Sequence, residues 1–269
     1  MTLRSLVLSF LATGVALYVA VLAAMYLNQR NLLYHPDRAS PPLPAGMDEV
    51  WLTAEDGVRL NAWYAPPKDN RGVVLFLHGN AGNLALPAAK FQDYLQAGHG
   101  VLAIDWRGYG KSQGLPSEEG LFADGRAALA FLKEKGVGFE RVVLHGESLG
   151  SGVAVLLASE NRFAGIVLEA PFLSVAEAAQ SHYPYLPARW LVKDRFDNLS
   201  RIAQVQAPIL ILHCENDRTV PVAHGRALLA AAGPKARGLF FPGGGHMESF
   251  DQGGRAATLD FIREVLGRP

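Results

Sequence analysis

The sequence predicts an α/β fold in which a mostly parallel sheet carries helices on both faces. Apolar runs without polar alternation are typical of strands that are buried on both sides. Helical stretches lie between most of these runs, which is the pattern of a parallel sheet covered by helices. The predicted strands are residues 73–77, 101–104, 142–144, 166–168, 209–212 and 239–241.

An antiparallel hairpin is predicted ahead of these strands. Residues 49–53 and 58–64 alternate apolar and polar side chains on either side of Glu55-Asp56-Gly57, and this alternation around a turn is typical of a hairpin at one edge of a sheet.

The N-terminal part of the chain predicts a membrane anchor. Residues 6–27 run for 22 positions without a charge, which is long enough to cross a bilayer as a helix. We therefore expect a transmembrane anchor at residues 1–28, a linker at 29–48 and a folded domain at 49–269, with a cap at about 172–200. Four prolines within the linker argue against a helix or a central strand in residues 28–48.

Two further properties of the anchor are whether it is cleaved and which side of the membrane carries the folded domain. A cleaved signal peptide is the competing interpretation, because small residues near position 23 fit a cleavage site. The amino group and Arg4 slightly outweigh Arg30. This charge difference weakly favours a single-pass protein with its folded domain on the non-cytoplasmic side.

Composition excludes several classes of partner. The 25 basic and 25 acidic residues cancel, so no nucleic-acid partner is expected. Cys214 is the single cysteine, so it has no internal disulfide partner, and no Cys/His spacing predicts a metal site. No cofactor is expected. The sequence does not indicate an oligomeric state.

Ser148 is the candidate nucleophile. It lies in Gly146-Glu147-Ser148-Leu149-Gly150, between a β-branched run and a small-residue helical stretch, which is the context of a nucleophile elbow. A second match to the same pattern contains Ser112, but loop-forming residues surround it. We interpret Ser112 as a loop serine, and its neighbourhood lacks the spacing of a phosphate-binding loop.

Asp217 and His246 are the candidate acid and base. A serine hydroxyl needs a base within hydrogen-bond reach, and that base needs an acid to fix its tautomer. Each of the three residues follows a predicted strand, and their order in the chain is nucleophile, acid, base. Glu169 is the main alternative acid and Glu215 lies close to Asp217 in sequence. Asp105 is expected instead to bond the turn that follows it or Arg107.

Two backbone amides are predicted to form an oxyanion hole. Leu149 follows the nucleophile directly, and Asn80 lies in the glycine-rich loop after the first predicted parallel strand. Ala81 is the second choice in that loop.

These pieces together resemble the α/β-hydrolase superfamily, and within it the membrane-anchored branch that includes eukaryotic depalmitoylase-like proteins and bacterial relatives. The resemblance covers most of the chain and implies a serine hydrolase. The matching segments are residues 31–36, 78–83, 107–112, 116–118, 147–150 and 216–221. Glu147 departs from the pattern, because the branch often carries a basic or amide residue there; we expect it to affect a nearby imidazole, to face solvent or to pair with an arginine.

The substrate expectation comes from the cap and the anchor. The cap is rich in aromatic side chains, namely Tyr183, Tyr185, Trp190 and Phe196. These either form an apolar wall for a ligand or only pack the cap onto the body. We expect a small-molecule or lipid-like acyl ester or thioester, cleaved through an acyl-enzyme. The alternatives are a noncatalytic membrane-tethered binding module on the same fold, or a peptidase or lactonase with the same triad.

Overall fold

The computed structural model describes residues 2–69 and 71–267, and within them the chain forms one eight-stranded sheet and one two-stranded sheet. The strands of the large sheet follow the order β10-β9-β8-β7-β4-β6-β3-β2. The six strands from β10 to β6 run parallel, whereas β3 and β2 are antiparallel at one edge. The strands are β2 Asp48–Thr53, β3 Arg59–Ala65, β4 Val73–Leu77, β6 Gly100–Ile104, β7 Val142–Glu147, β8 Gly165–Glu169, β9 Ile209–Cys214 and β10 Ala236–Phe241.

Helices cover both faces of this sheet, and the α/β prediction is confirmed. Alternate strand residues point to opposite faces, so Leu75 packs with the core that includes Val153, whereas Phe76 packs with Phe91 and Ile262 on the other side. The helices are α1 Leu3–Leu33, α2 Ala88–Gln96, α3 Glu118–Glu134, α4 Leu149–Glu160, α5 Val175–His182, α6 Ala188–Leu191, α7 Asn198–Ile202, α8 Val222–Ala232 and α9 Arg255–Leu266.

The N-terminal helix α1 is long and apolar enough to cross a membrane. It ends at Leu33 rather than at residue 28, so the expectation that residues 28–48 hold no helix is wrong for 28–33. The first proline of that segment is Pro36, and nothing before it interrupts the helix. Two short strands follow, β1 His35–Pro36 and β5 Ala81–Gly82, and they pair in parallel. The end of α1 is thus joined to the loop after β4.

The segment between β8 and β9 contains α5, α6 and α7. We call residues 172–200 the cap.

Candidate active site

Ser148 lies on a sharp turn between β7 and α4. Its backbone has φ 45° and ψ −111°, a conformation that is strained for a residue with a side chain. The flanking glycines allow the turn, because a Cβ on Gly146 would lie 2.7 Å from the Gly150 carbonyl oxygen and one on Gly150 would lie 1.9 Å from that of Leu77. The Ser148 amide donates to the Glu169 carbonyl at 2.8 Å. The local sequence therefore lifts one hydroxyl above the carboxyl edge of the sheet.

His246 and Asp217 meet Ser148 at this edge. The His246 Nε2 atom lies 2.9 Å from the Ser148 Oγ atom, and its Nδ1 atom lies 2.7 Å from the Asp217 Oδ2 atom. An ionised aspartate accepts only, so Nδ1 carries the proton and Nε2 is free to accept the serine proton. The three side chains come from loops after β7, β9 and β10, and they form one continuous hydrogen-bonded chain.

Asp217 is held in its ionised form. Burial opposes ionisation, but hydrogen bonds with His213 and His246 and from the Val220 amide outweigh it and hold the pKa of Asp217 below its usual range. Its Oδ1 atom accepts from the amides of Thr219 and Val220, both at 2.8 Å. The carboxylate is therefore fixed by its own loop while its other oxygen faces the imidazole.

The loop after β4 approaches Ser148. A Cβ on Gly79 would lie 3.7 Å from the Ser148 Cβ atom, at van der Waals distance, so the loop passes directly beside the serine. Asn80 is tied down through its carbonyl, which accepts from the Tyr109 hydroxyl at 2.7 Å, and through its side chain, which donates to the Leu33 carbonyl at 2.8 Å. Within the described part of the chain, neither the Asn80 amide nor the Leu149 amide bonds an acceptor.

The rival carboxylates have other partners. Glu169 is buried and accepts from the Ser249 hydroxyl at 2.8 Å, and Glu215 pairs with Arg226 on the surface. Asp105 accepts from the Leu84 amide at 3.0 Å, so the expectation that it bonds the following turn or Arg107 is wrong. Burial raises the pKa of Asp105 to about 7.

Ser112 has a structural role. It is buried, and its hydroxyl donates to the Asp105 carbonyl at 2.8 Å and accepts from the Asn61 amide at the same distance. Both hydroxyl bonds hold the loop after β6 against β3, as the interpretation of a loop serine requires.

A buried ionic cluster lies next to Ser148 and was not predicted. The Lys90 ammonium, on α2, bonds both Glu147 and Glu169, the latter at 2.5 Å. Glu147 therefore pairs with a lysine instead of facing solvent or an arginine. The sequence signal that could have revealed the cluster is that Glu147 and Glu169 each end an apolar strand. Buried charges require a partner of opposite sign, so a cation was to be expected nearby.

The same cluster contains the ligand types of a metal site. Atoms of His145, Glu147 and Glu169 lie within 4.8 Å of one another. Burial lowers the pKa of Lys90, but the two carboxylates outweigh this and raise it above its usual value. The lysine thus supplies the positive charge that these carboxylates need.

The cap aromatics divide into two groups. Phe196 is fully buried, and its ring centroid lies 5.4 Å from that of Phe122, so it packs the cap onto the body. Tyr185 and Trp190 are 71% and 86% exposed. Tyr183 lines a cavity between the cap and α1.

The chain belongs to the α/β-hydrolase family. A profile described as the alpha/beta hydrolase fold matches residues 72–200. An uncharacterised protein from Mycobacterium tuberculosis is 39% identical over 97% of this chain and 92% of its own length. The alpha/beta hydrolase domain-containing protein WAV2 from Arabidopsis thaliana is 30% identical over 93% of this chain and 90% of its own. This membership supports a hydrolase.

Solved structures show the same fold. An esterase from Pyrococcus furiosus superimposes with a TM-score of 0.73 at 18% identity, covering 87% of this chain and 98% of the esterase. An α/β hydrolase from Vibrio vulnificus gives a TM-score of 0.70 at 28% identity, with 82% of each chain covered.

Proposed function

We propose that the protein is a serine hydrolase that cleaves carboxylic esters or thioesters through an acyl-enzyme. The observation that supports this most strongly is the hydrogen-bonded chain from Asp217 through His246 to Ser148, with heavy-atom distances of 2.7 and 2.9 Å. Proton transfer along such a chain requires distances of this size.

The first half-reaction acylates Ser148. Its Oγ atom attacks the substrate carbonyl carbon while its proton passes to His246 Nε2, and the carbonyl oxygen becomes an oxyanion. The amides of Leu149 and Asn80 are the proposed donors to this oxygen, because both lie beside the nucleophile and neither is bonded elsewhere in the described chain. The leaving alcohol or thiol takes the proton from the imidazolium as the bond to it breaks.

The second half-reaction restores the enzyme. A water molecule gives a proton to His246 Nε2 and attacks the acyl carbon, and Ser148 leaves with that proton. Asp217 stabilises the imidazolium in both halves and keeps its own charge, in agreement with its lowered pKa.

A fluorophosphonate probe tests this proposal. The wild type should react, Ser148→Ala should not, and Ser112→Ala should react like the wild type once its folded fraction is matched by circular dichroism. The two serines share the same sequence pattern, so Ser112 is the matched control. Equal labelling of wild type and Ser148→Ala would mean that another residue is the nucleophile, and no labelling of either would favour the noncatalytic binding module.

An apolar acyl group is the proposed substrate portion. A cavity of about 180 Å³ lies between α1 and the cap, and its mostly apolar lining includes Leu22, Met25 and Leu186. Leu33 also lines it, and its carbonyl accepts from the Asn80 side chain. Hydrolysis of aryl esters of increasing acyl length should accelerate beyond the acetate ester; activity confined to acetate would contradict a lipid-like substrate.

The proposed location is a membrane, with α1 retained as a single span and the folded domain on the non-cytoplasmic side. Retention is supported by the Tyr18 hydroxyl, which lies before the candidate cleavage site and donates to the Tyr185 carbonyl of the cap at 2.9 Å. Protease added outside intact cells after removal of the cell wall should digest the domain. Protection of the domain under these conditions would reverse the orientation.

A further inference from the structure

The anchor helix is fixed to the cap along much of its length. Near its C-terminal end, the Arg30 guanidinium pairs with Asp194 at 2.9 Å. Well before that end, the Tyr18 hydroxyl donates to the Tyr185 carbonyl at 2.9 Å. The cap therefore runs beside α1 from about position 30 back to position 18.

The length of a membrane span places one of these contacts inside the bilayer. A span needs about 20 apolar residues, and Arg4 limits where it can start. If the span starts at Leu6, it ends near Met25, so Tyr18 lies within it. The Tyr185 carbonyl is bonded to Tyr18 and so lies at nearly the same depth.

The cap surface beside this contact has the chemistry of a lipid interface. Its aromatic side chains Tyr183, Tyr185 and Trp190 are 42%, 71% and 86% exposed, and tyrosine and tryptophan are enriched where protein meets the membrane–water boundary. Lys193 lies 4.2 Å from the centre of the Tyr26 ring. This places a cation at the level where the span ends and lipid headgroups begin.

We propose that residues 183–190, which we call the cap tip, form a membrane-binding surface that enters the bilayer beside α1. Within the cap tip, Tyr185 lies deeper than Trp190. The carbonyl of Leu191, next to Trp190, accepts from Gln29 at 3.4 Å, close to the end of α1. The partner is the lipid bilayer itself.

This surface is connected to the candidate active site. The side chain of His182, just before the cap tip, lies 2.7 Å from the Thr219 carbonyl, in the loop that also holds Asp217. A cap seated in the membrane would hold the carboxyl edge of the sheet towards the bilayer. The inference rests on α1 being the membrane span and does not depend on the catalytic role of Ser148.

Site-specific fluorescence in vesicles tests the proposal. Cys214 is 1% exposed and should not react with a maleimide in the folded protein. Single variants Tyr185→Cys and Trp190→Cys are labelled with nitrobenzoxadiazole maleimide, and the full chain is reconstituted into phosphatidylcholine vesicles with and without doxyl-labelled lipid. Both side chains are exposed, so the label should not disturb packing. The unsubstituted protein measures background labelling.

Two further cysteine variants serve as controls, one for a label inside the bilayer and one for a label outside it. Val15→Cys places the label on α1, where it is 64% exposed. Glu134→Cys places it at the exposed end of α3, close to the amino end of β7 and away from Ser148.

The expected order of quenching by doxyl lipid is clear-cut. Labels at 15 and 185 should lose most of their emission, the label at 190 should lose less, and the label at 134 should lose none. Bright labels at both 185 and 190 with quenching at 15 would overturn the proposal. It would also be overturned by an unquenched label at 15, because α1 would then lie outside the bilayer, or by equal quenching at 134 and 185.

Discussion

Asp217 and Glu169 both lie where strands of one sheet end, and the sequence offers both as the catalytic acid. Their contacts separate them. Asp217 bonds His246 at 2.7 Å, whereas Glu169 bonds Lys90 at 2.5 Å and the Ser249 hydroxyl at 2.8 Å. One carboxylate serves the candidate active site, and the other anchors the loop that follows His246.

The difference comes from the face of the sheet that each side chain occupies. Glu169 is the last residue of β8 and pairs in register with Glu147 of β7, so both side chains lie on the same face. Lys90 meets them there from α2. Asp217 lies beyond the end of β9, and its turn directs the carboxylate over the edge of the sheet. Position at a strand end is therefore insufficient to assign the acid. The direction in which the side chain points, onto a face of the sheet or over its edge, decides.

The largest expected effect is on Asp217. Asp217→Asn should lower kcat for an aryl ester by about 10⁴-fold, because an amide no longer fixes the productive imidazole tautomer. Stopped assays on the purified protein, corrected for folded fraction, measure this. Glu169→Gln is the matched control and should retain far more activity per folded molecule. Similar losses in the two variants would remove the distinction between the two carboxylates.

The next effect is on stability and concerns Lys90. Lys90→Met should lower the free energy of unfolding by about 3–5 kcal/mol, because it leaves two buried carboxylates without their cation. Urea denaturation in detergent, followed by tryptophan fluorescence, measures the change.

A compensating variant makes the Lys90 result specific. Adding Glu147→Gln and Glu169→Gln to Lys90→Met removes the unpaired charges and should restore much of the lost stability. If the triple variant were no more stable than Lys90→Met alone, lost packing of the lysine would be the cause instead of charge.

A smaller effect is expected for Glu169 alone, and it depends on pH. Burial raises the pKa of Glu169, but Lys90 outweighs it and holds the pKa well below the ordinary 4.5. A lowered pKa adds stability that is present above pH 4.5 and is lost as pH falls below it. Glu169→Gln should cost about 1.5–3 kcal/mol at pH 7 and should lose less stability than the wild type on acidification. If the wild type and Glu169→Gln lost the same stability on acidification, the lowered pKa of Glu169 would not be the source of the pH dependence.

Much of the fold was predictable because it depends on local sequence patterns. Unbroken apolar runs located the parallel strands, and the Gly-x-Ser-x-Gly context separated Ser148 from Ser112. The ends of the strands were harder to predict from the sequence. β7 continues to Glu147 and β9 to Cys214, past the apolar runs, because their polar residues are buried by neighbours distant in the chain.

The ionic cluster shows what the sequence alone could not provide. Lys90 lies 57 positions from Glu147, and no local pattern joins them. His145 and Glu147 share a face by the two-residue period of a strand, but Glu169 joins them only through the register of β7 and β8. Register between strands that are separated by a helix depends on packing, which one sequence does not reveal.

The smallest effect is expected at Glu215, the carboxylate nearest to Asp217 in sequence among the alternatives. It pairs with Arg226, with one contact of 3.0 Å, on the surface, where water and salt screen the attraction. Glu215→Gln should therefore leave both kcat and the urea midpoint unchanged within error. A large loss of kcat would mean that Glu215 acts on His246 despite its separate contacts, and proximity in sequence would then outweigh the side-chain geometry that separates Asp217 from Glu169.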